Sequence, residues 1–195
     1  MSQREEPSAS EPPTSWLEEA ERVDLAVYAA IARTSTPRLD RAMARLSAAA
    51  DYSRLSLASA GVLAVAGGRR GRRAATLGLA AVATTATFVN VGLKPLSRRR
   101  RPDRIAEEVP VARHVRMPIS SSFPSGHSAA AFAFATGVGY ALPGAAVPLR
   151  ALAAMVAYSR VHTGVHYPAD AVAGALLGTA FGQGTAKLLE RRLEP

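Results

Sequence analysis

Three short polar clusters lie against apolar stretches of this chain, and their residue types suit chemistry on a phosphate group. They run from Lys94 to Arg101-Pro102, from Pro124 to His127, and from Ser159-Arg160 to Asp170. Together they supply three cations, a helix start, two imidazoles and a carboxylate. Cations stabilise the charge that spreads over the equatorial oxygens of phosphate in the transition state. The three clusters therefore predict a site that binds a phosphate, attacks it and protonates the leaving group.

The cations of the first and third clusters are the candidate phosphate ligands. Lys94 ends an apolar segment, and Arg101 follows seven residues later beyond a predicted loop. Arg160 adds a guanidinium, whose forked geometry can pair with two oxygens at once. Taken alone, Lys94 and Arg101 are explained more simply as a pair of cations at a membrane edge.

The second cluster predicts the start of a helix. Pro124 suits a first turn, Ser125 can cap it, and Gly126 lets the backbone approach a ligand closely. Free amides at a helix N-terminus bind anions, so we expect Ser125 and Gly126 to bind the phosphate. An ordinary capped helix would explain these residues too. It does not explain His127, which we predict to be the general acid.

The third cluster contains the candidate nucleophile. His166 and Asp170 are four residues apart, so a helix that begins near Pro168 would place the carboxylate beside imidazole Nδ1. That bond would fix the tautomer and leave Nε2 free to attack. The alternative is a metal site formed by His162, His166 and Asp170. We favour phosphate because it accounts for more residues and because Pro168 interrupts a regular helix there.

Length and composition predict a single all-α domain. The chain has 195 residues, which allows a sizeable core but not a second catalytic domain. Cysteine is absent, so disulfides and thiolate metal sites are excluded. Residues 1–22 are polar and rich in Glu, Ser and Pro, and they predict a disordered tail. The domain is predicted to cover residues 23–190.

Long uncharged segments indicate a helical bundle in a membrane, of about five to six helices. Residues 74–93 are the clearest candidate span. Weaker candidates are residues 55–68, 128–149 (broken at Pro143-Gly144), 147–158 and 171–186. Residues 23–34 are too short to span a bilayer and are expected to lie at its surface or to cap the bundle. An Ala-rich soluble bundle is the alternative, but uncharged runs this long are rare in soluble cores.

Small residues and charges within these segments sharpen the membrane interpretation. Gly174, Gly178 and Gly182 recur every four residues, which predicts a close approach between helices. The net charge of +9 lies largely in arginine runs at 69–73 and 98–101, beside apolar segments. Such runs are typical of membrane boundaries and of anionic lipid contact, and only 6% of residues are aromatic, which argues against nucleic-acid binding. We expect the arginines 98–100 to attract lipid headgroups or to lie in a solvated loop.

The three clusters resemble the signature of the type 2 phosphatidic acid phosphatase superfamily. That signature is Lys, six residues, Arg-Pro; then Pro-Ser-Gly-His; then Ser-Arg, five residues, His, three residues, Asp, and the resemblance covers about residues 55–188. It implies that His166 forms a phosphohistidine, that Asp170 orients it, and that His127 acts first as acid and then as base. It implies no metal or other cofactor. The phosphate ligands that it implies are Lys94, Arg101, Ser125, Gly126 and Arg160.

The resemblance also implies a function, a membrane-bound phosphatase that acts on a lipid phosphomonoester or pyrophosphate. Phosphatidic acid, phosphatidylglycerol phosphate and polyprenyl phosphates are the candidate substrates, and the oligomeric state stays open. Soluble acid phosphatases and vanadium haloperoxidases share the residue set, but the uncharged spans favour a lipid. The alternative function is a non-enzymatic membrane protein that binds anionic lipid headgroups. We expect a multi-pass protein of the cell membrane with an extracytoplasmic site, because several cations on that side have a catalytic reason to be there.

Overall fold

A computed structural model describes residues 15–193, and seven α-helices form the body of this part of the chain. The helices are α1 (Trp16–Arg33), α2 (Pro37–Ala49), α3 (Arg54–Ala66), α4 (Gly68–Thr87), α5 (Gly126–Ala141), α6 (Pro143–His162) and α7 (Pro168–Leu193). A π-helical turn, Phe88–Leu93, extends α4, and 3₁₀ turns cover Asp51–Ser53 and Val111–Arg113. No strand occurs in residues 15–193. The all-α prediction is confirmed, with seven helices where about five to six were expected.

The first helix begins earlier than predicted. Residues 16–22 belong to α1, so the assignment of this segment to a disordered tail is wrong. Ser15 Oγ accepts the backbone N–H of Glu18, and the Glu18 carboxylate accepts the N–H of Ser15. This reciprocal capping box satisfies two otherwise unpaired donors and explains why the helix begins here. Residues 1–14 of the predicted tail lie outside the described residues.

Helix α4 and its π-helical turn form the clearest candidate for a membrane-spanning helix. They run without a break over Gly68–Leu93, 26 residues, and a window of 18 residues within them has a mean hydropathy of 1.5. Among the described helices this is the one whose length and composition suit a span. It begins before the predicted residue 74, because the arginines of 69–73 continue the helix instead of separating two spans.

Helix α5 lies at the centre of the bundle, against α4, α6 and α7. Its contact with α7 depends on the glycine stripe that the sequence predicted. At Gly182 an added Cβ would lie 2.9 Å from the carbonyl oxygen of Ala133, and Gly174 and Gly178 are crowded by the α5 backbone in the same way. Glycine therefore lets the two helix backbones touch.

The bundle has small side chains inside and large apolar side chains on its outer surface. Its main core, between α3, α4 and α5, consists of Ala60, Ala74, Ala75, Val82, Phe134 and Val138. Val62 and Val65 of α3, Val91 of the π-helical turn and Leu176 of α7 point outward and are largely exposed. Such a surface is unfavourable in water but suits contact with lipid chains.

The starts of α5 and α7 meet at one end of the bundle and create the place for a site. At the opposite end, α5 ends at Ala141 and α6 begins at Pro143, so the predicted break at Pro143-Gly144 is confirmed. Helix α7 begins at Pro168, also as predicted. The backbone N–H of Ser125, which caps α5, donates to the carbonyl of Asp170 in the first turn of α7 at 3.0 Å. The starts of α5 and α7 are thus joined directly.

Candidate active site

His166 and Asp170 form a buried pair, as the sequence predicted. His166 lies in the loop after α6, and Asp170 Oδ2 is 3.4 Å from its Nδ1, which is long for a hydrogen bond. On the other side of the ring, Arg101 Nη1 lies 3.2 Å from Nε2. Because a guanidinium only donates, Nε2 is the acceptor and the proton of the neutral ring is on Nδ1.

Burial lowers the pKa of His166 to about 4, and the positive charge of Arg101 acts in the same direction, whereas Asp170 opposes both. The imidazole is therefore neutral at neutral pH. The neutral form has the lone pair that a nucleophile needs. The environment of His166 thus places the lone pair on Nε2, where Arg101 contacts it, and keeps the ring in the neutral form that the sequence interpretation requires.

The predicted phosphate ligands Lys94 and Arg101 converge on the same loop. Lys94 Nζ lies 3.2 Å from the hydroxyl oxygen of Ser120. Arg101 donates to the carbonyl oxygens of Ser120 and Val165 at 2.9 and 2.7 Å. Burial, together with the charges of Arg101 and Arg160, lowers the pKa of Lys94 to about 8, so the three cations are close enough to repel each other. Such a cluster favours an anion between its members.

Arg160, the third cation, has a buried donor with no acceptor among residues 15–193. Its Nη1 donates to Ser47 Oγ at 2.7 Å and lies 3.5 Å from Asp51 Oδ1. Its Nε is buried and has no hydrogen-bond partner among residues 15–193. A buried donor without an acceptor is unfavourable, and an anion oxygen would satisfy it.

The start of α5 offers two free amides: that of Gly126, which the sequence indicated, and that of His127 in place of Ser125. The Ser125 N–H donates to Asp170, and Ser125 Oγ accepts the N–H and the hydroxyl of Ser128, so both polar groups of Ser125 are engaged. The N–H groups of Gly126 and His127 have no acceptor in residues 15–193. A Cβ at Gly126 would lie 3.6 Å from Lys94 Nζ, so this helix end faces the cations.

His127 is held by a residue that the sequence analysis did not identify. Its Nε2 lies 2.9 Å from Oδ1 of Asp51, which belongs to the 3₁₀ turn between α2 and α3. The two residues are 76 positions apart, so no spacing rule could connect them.

Comparison with known protein families gives a match over the part of the chain that contains all three clusters. A family model described as the PAP2 superfamily matches residues 75–194. The chain belongs to the PAP2 superfamily. The resemblance inferred from the three clusters is thereby confirmed.

Relatives within the superfamily include phosphatases of lipids. The chain is 39% identical over 115 residues to proteins named decaprenylphosphoryl-5-phosphoribose phosphatase, from two strains of Mycobacterium tuberculosis. The match covers 57% of this chain and 59% of the length of those relatives.

Solved structures of the superfamily share the fold. A transmembrane PAP2-type phosphatidylglycerolphosphate phosphatase from Bacillus subtilis superposes with a TM-score of 0.69 at 24% identity, covering 89% of this chain and 87% of that one. Aquifex aeolicus LpxE gives the same TM-score at 25% identity, covering 85% of this chain and 95% of that one. This likeness shows the fold, and the helix Gly68–Leu93 is long and apolar enough to cross a membrane.

Arg99 of this PAP2 protein lies in a different environment from the one that the sequence predicted. We expected Arg99 to face lipid headgroups or solvent, and the structure corrects this. Arg99 Nη1 is 2.8 Å from Asp170 Oδ1, and its Nη2 is 2.5 Å from Asp24 Oδ2 on α1. The hydroxyl of Ser122 donates to Asp170 Oδ2 at 2.5 Å. Arg99, Ser122 and Asp24 are thus functional candidates that the sequence analysis missed, and Arg99 was missed because it looks like its neighbours in the arginine run.

The metal arrangement of His162, His166 and Asp170 is not formed. His162 Nε2 lies 2.9 Å from Oδ1 of Asp40, away from the other two side chains. Asp40 also accepts Nε of the buried Arg113 at 2.8 Å. No three His, Cys, Asp or Glu side chains converge to hold an ion in the part of the chain that the structure describes.

A cavity of about 190 Å³ opens beside the cluster, between α3, α4 and α5. Lys94, Gly126 and His127 line its polar part. Apolar side chains line the remainder, among them Leu55, Ala86, Ala130, Ala131 and Val156. The cavity therefore joins an anion-binding end to a wall that suits hydrocarbon.

Proposed function

We propose that this PAP2 protein is a lipid phosphate phosphatase of the membrane. The observation that carries the proposal is the cavity that begins at Lys94 and His127 and continues along an apolar wall. A soluble phosphate ester has no hydrocarbon to bury against that wall. A lipid phosphate would place its dianionic phosphate at the polar end of the cavity and its hydrocarbon chain along the wall. The buried Nε of Arg160, which lacks an acceptor in the described residues, supports an anionic ligand at the polar end.

We assign the catalytic roles from the same geometry. His166 Nε2 attacks phosphorus while His127 protonates the departing alkoxide, which leaves phosphate bound to the imidazole. Asp170 keeps the His166 ring oriented and stabilises its charge as the bond forms. Water activated by His127 then releases inorganic phosphate. The developing charge is stabilised by the predicted ligands Lys94, Arg101 and Arg160 and by the amides of Gly126 and His127, with Ser125 holding the helix start.

The substrate class follows from the cavity and from the relatives. The relatives at 39% identity are named as phosphatases of decaprenylphosphoryl-5-phosphoribose, a phosphate on a polyprenyl-linked sugar. We therefore place polyprenyl-linked phosphates first, followed by phosphatidylglycerol phosphate and phosphatidic acid. All three combine a terminal phosphate with a long hydrocarbon chain.

The function is tested by phosphate release from this panel of lipids with purified protein in detergent. His166→Ala should lower release by about three orders of magnitude or more, because the nucleophile is lost. A rapid alkaline quench, in which phosphohistidine is stable, should retain labelled phosphate on the wild-type protein but not on His166→Ala. His114→Ala is a matched control, since His114 is exposed and its Nε2 contacts only the carbonyl of Val109. Full activity in His166→Ala would contradict the proposal, and a wild-type protein that binds these lipids without hydrolysing them would indicate the non-enzymatic alternative.

We also propose that the chain crosses the membrane several times, with the site on the extracytoplasmic side. The cations near the site have a catalytic reason to lie there, so the arginines at the opposite end, including Arg69 to Arg73, follow the positive-inside tendency. Because the chain lacks cysteine, single cysteines can report topology. Ala112→Cys should react with an impermeant maleimide in intact cells, and Gly144→Cys only after permeabilisation. The reverse pattern would place the site in the cytoplasm.

A further inference from the structure

Each imidazole of the site is paired with its own carboxylate. The carboxylate contacts Nδ1 in His166 but Nε2 in His127. His166 faces Asp170 through Nδ1 and presents Nε2 to the cations. His127 faces Asp51 through Nε2, and its Nδ1 makes no hydrogen bond to any of residues 15–193. The PAP2 signature contains the first carboxylate but not the second, which comes from the α2–α3 connection.

The position of Asp51 is set by an unusual turn. The next two residues, Tyr52 and Ser53, both adopt the left-handed conformation with φ of 56°. Residues other than glycine rarely adopt this conformation, and two in succession persist only where the surroundings hold them. Tyr52 and Ser53 also line the cavity beside His127. The turn therefore brings one carboxylate to the imidazole and forms part of the cavity wall.

Asp51 also connects His127 to the cation that has a free donor. Its Oδ1 lies 2.9 Å from His127 Nε2 and 3.5 Å from Arg160 Nη1. The carboxylate thus lies between an imidazole and a guanidinium. An anion there stabilises the protonated imidazole, which the neighbouring arginine would otherwise disfavour. It also fixes the ring, since only one rotation of the imidazole keeps Nε2 on Asp51.

We propose that Asp51 is a positioning residue for the general acid, holding His127 by Nε2 so that Nδ1 exchanges the proton. This inference rests on the proposed function, in which His127 is the acid. It assigns to the site a second histidine–aspartate pair, alongside the pair of His166 and Asp170. The nucleophile and the proton donor are then each oriented by a buried or partly buried carboxylate.

The proton and electron pairs balance over the two steps. In the first step the His166 Nε2 lone pair forms a bond to phosphorus, the bond from phosphorus to the alkoxide oxygen breaks, and the His127 Nδ1 proton moves to that oxygen. In the second step Nδ1 takes a proton from water, the water oxygen bonds to phosphorus, and the bond to His166 breaks. Asp51 stays ionised and accepts the Nε2–H throughout.

Leaving-group dependence tests the proposal. An alkyl phosphate needs its leaving oxygen protonated, whereas a nitrophenyl phosphate with the same alkyl tail does not. Asp51→Ala should lower kcat/KM by about a hundredfold or more on the alkyl ester, but by less than about tenfold on the nitrophenyl ester. Asp51→Asn keeps the size of the side chain and should show the same selective loss to a smaller degree, which protects the test if Asp51→Ala does not fold.

The controls separate this inference from the proposed function. His127→Ala should show the same selective loss, and if it does not, the acid role of His127 fails together with the inference. If His127→Ala is selective but neither Asp51 variant is, only the inference is overturned. Asp103→Ala removes a carboxylate that accepts the backbone N–H groups of Ile105 and Ala106, and it should affect both esters equally. An Asp51 variant could instead bind inorganic phosphate more tightly and show no difference between the two esters. Asp51 would then be an anion that competes with phosphate for the cations, and the proposal would also be overturned.

Discussion

Replacing Gly178 with alanine should force α5 and α7 apart and misalign the site. A Cβ at Gly178 would overlap the carbonyl oxygen of Ala129 and would lie 2.9 Å from its carbonyl carbon and 3.0 Å from its Cα. These are backbone atoms, which cannot rotate out of the way. The helices must therefore separate by roughly 1 Å, the scale of shift that overpacking causes.

The magnitudes follow from that displacement. Overpacking costs about 1–3 kcal/mol, and the better helix propensity of alanine returns up to about 1 kcal/mol. A net loss of about 1 kcal/mol lowers the melting temperature of a chain of this size by about 2–4 °C. Helix α5 carries His127 and α7 carries Asp170, so a shift of about 1 Å should also lower kcat/KM by about a hundredfold.

Gly184→Ala is the matched control on the same helix. No atom lies within 4 Å of a Cβ at Gly184, so this variant should gain up to about 1 kcal/mol and keep wild-type activity. Thermal unfolding in detergent, followed by circular dichroism, and phosphate release measure the two effects. If Gly178→Ala matched Gly184→Ala in both measurements, the direct contact of the two helix backbones would be refuted.

Three further predictions concern cations. Lys94, with its pKa of about 8, loses its charge as pH rises, so kcat/KM should fall about tenfold per unit above that pH, whereas Lys94→Arg should postpone the fall in the same pH series. Arg99→Ala leaves Asp170 without its guanidinium and should lower phosphate release about tenfold or more, unlike Arg100→Ala at the exposed neighbour. Arg113→Ala breaks a buried ion pair and should cost about 3–5 kcal/mol in thermal unfolding.

The sequence revealed those parts of the site that depend on local signals. Helix α5 begins at Gly126 and α7 at Pro168, because a capping serine and a proline act within one turn of their own positions. The pairing of His166 with Asp170 followed from a separation of four residues. The glycine stripe of α7 was visible because small residues recur at helical spacing.

The parts that the sequence did not reveal depend on contacts between distant helices. Asp51 meets His127 from 76 residues away, and Asp24 meets Arg99 from 75 residues away. Neither contact leaves a periodic signal, and Arg99 looks like its neighbours in an arginine run. The start of α1 was missed for another reason: its capping box was present, but the polar composition of residues 1–22 outweighed it.

The cations of the region that matches the family model depend on carboxylates that lie before that region in the chain. Asp24, Asp40 and Asp51 all precede residue 75, and they pair with Arg99, with Arg113 and His162, and with His127 and Arg160. A fragment that begins at residue 75 would keep every signature residue and lose all three partners. We expect it to be inactive, and co-expression of residues 1–74 as a separate chain to restore part of the phosphate release. If the first helices are replaced by those of a relative, we expect phosphate release only where the relative has acidic residues at the positions of Asp24, Asp40 and Asp51.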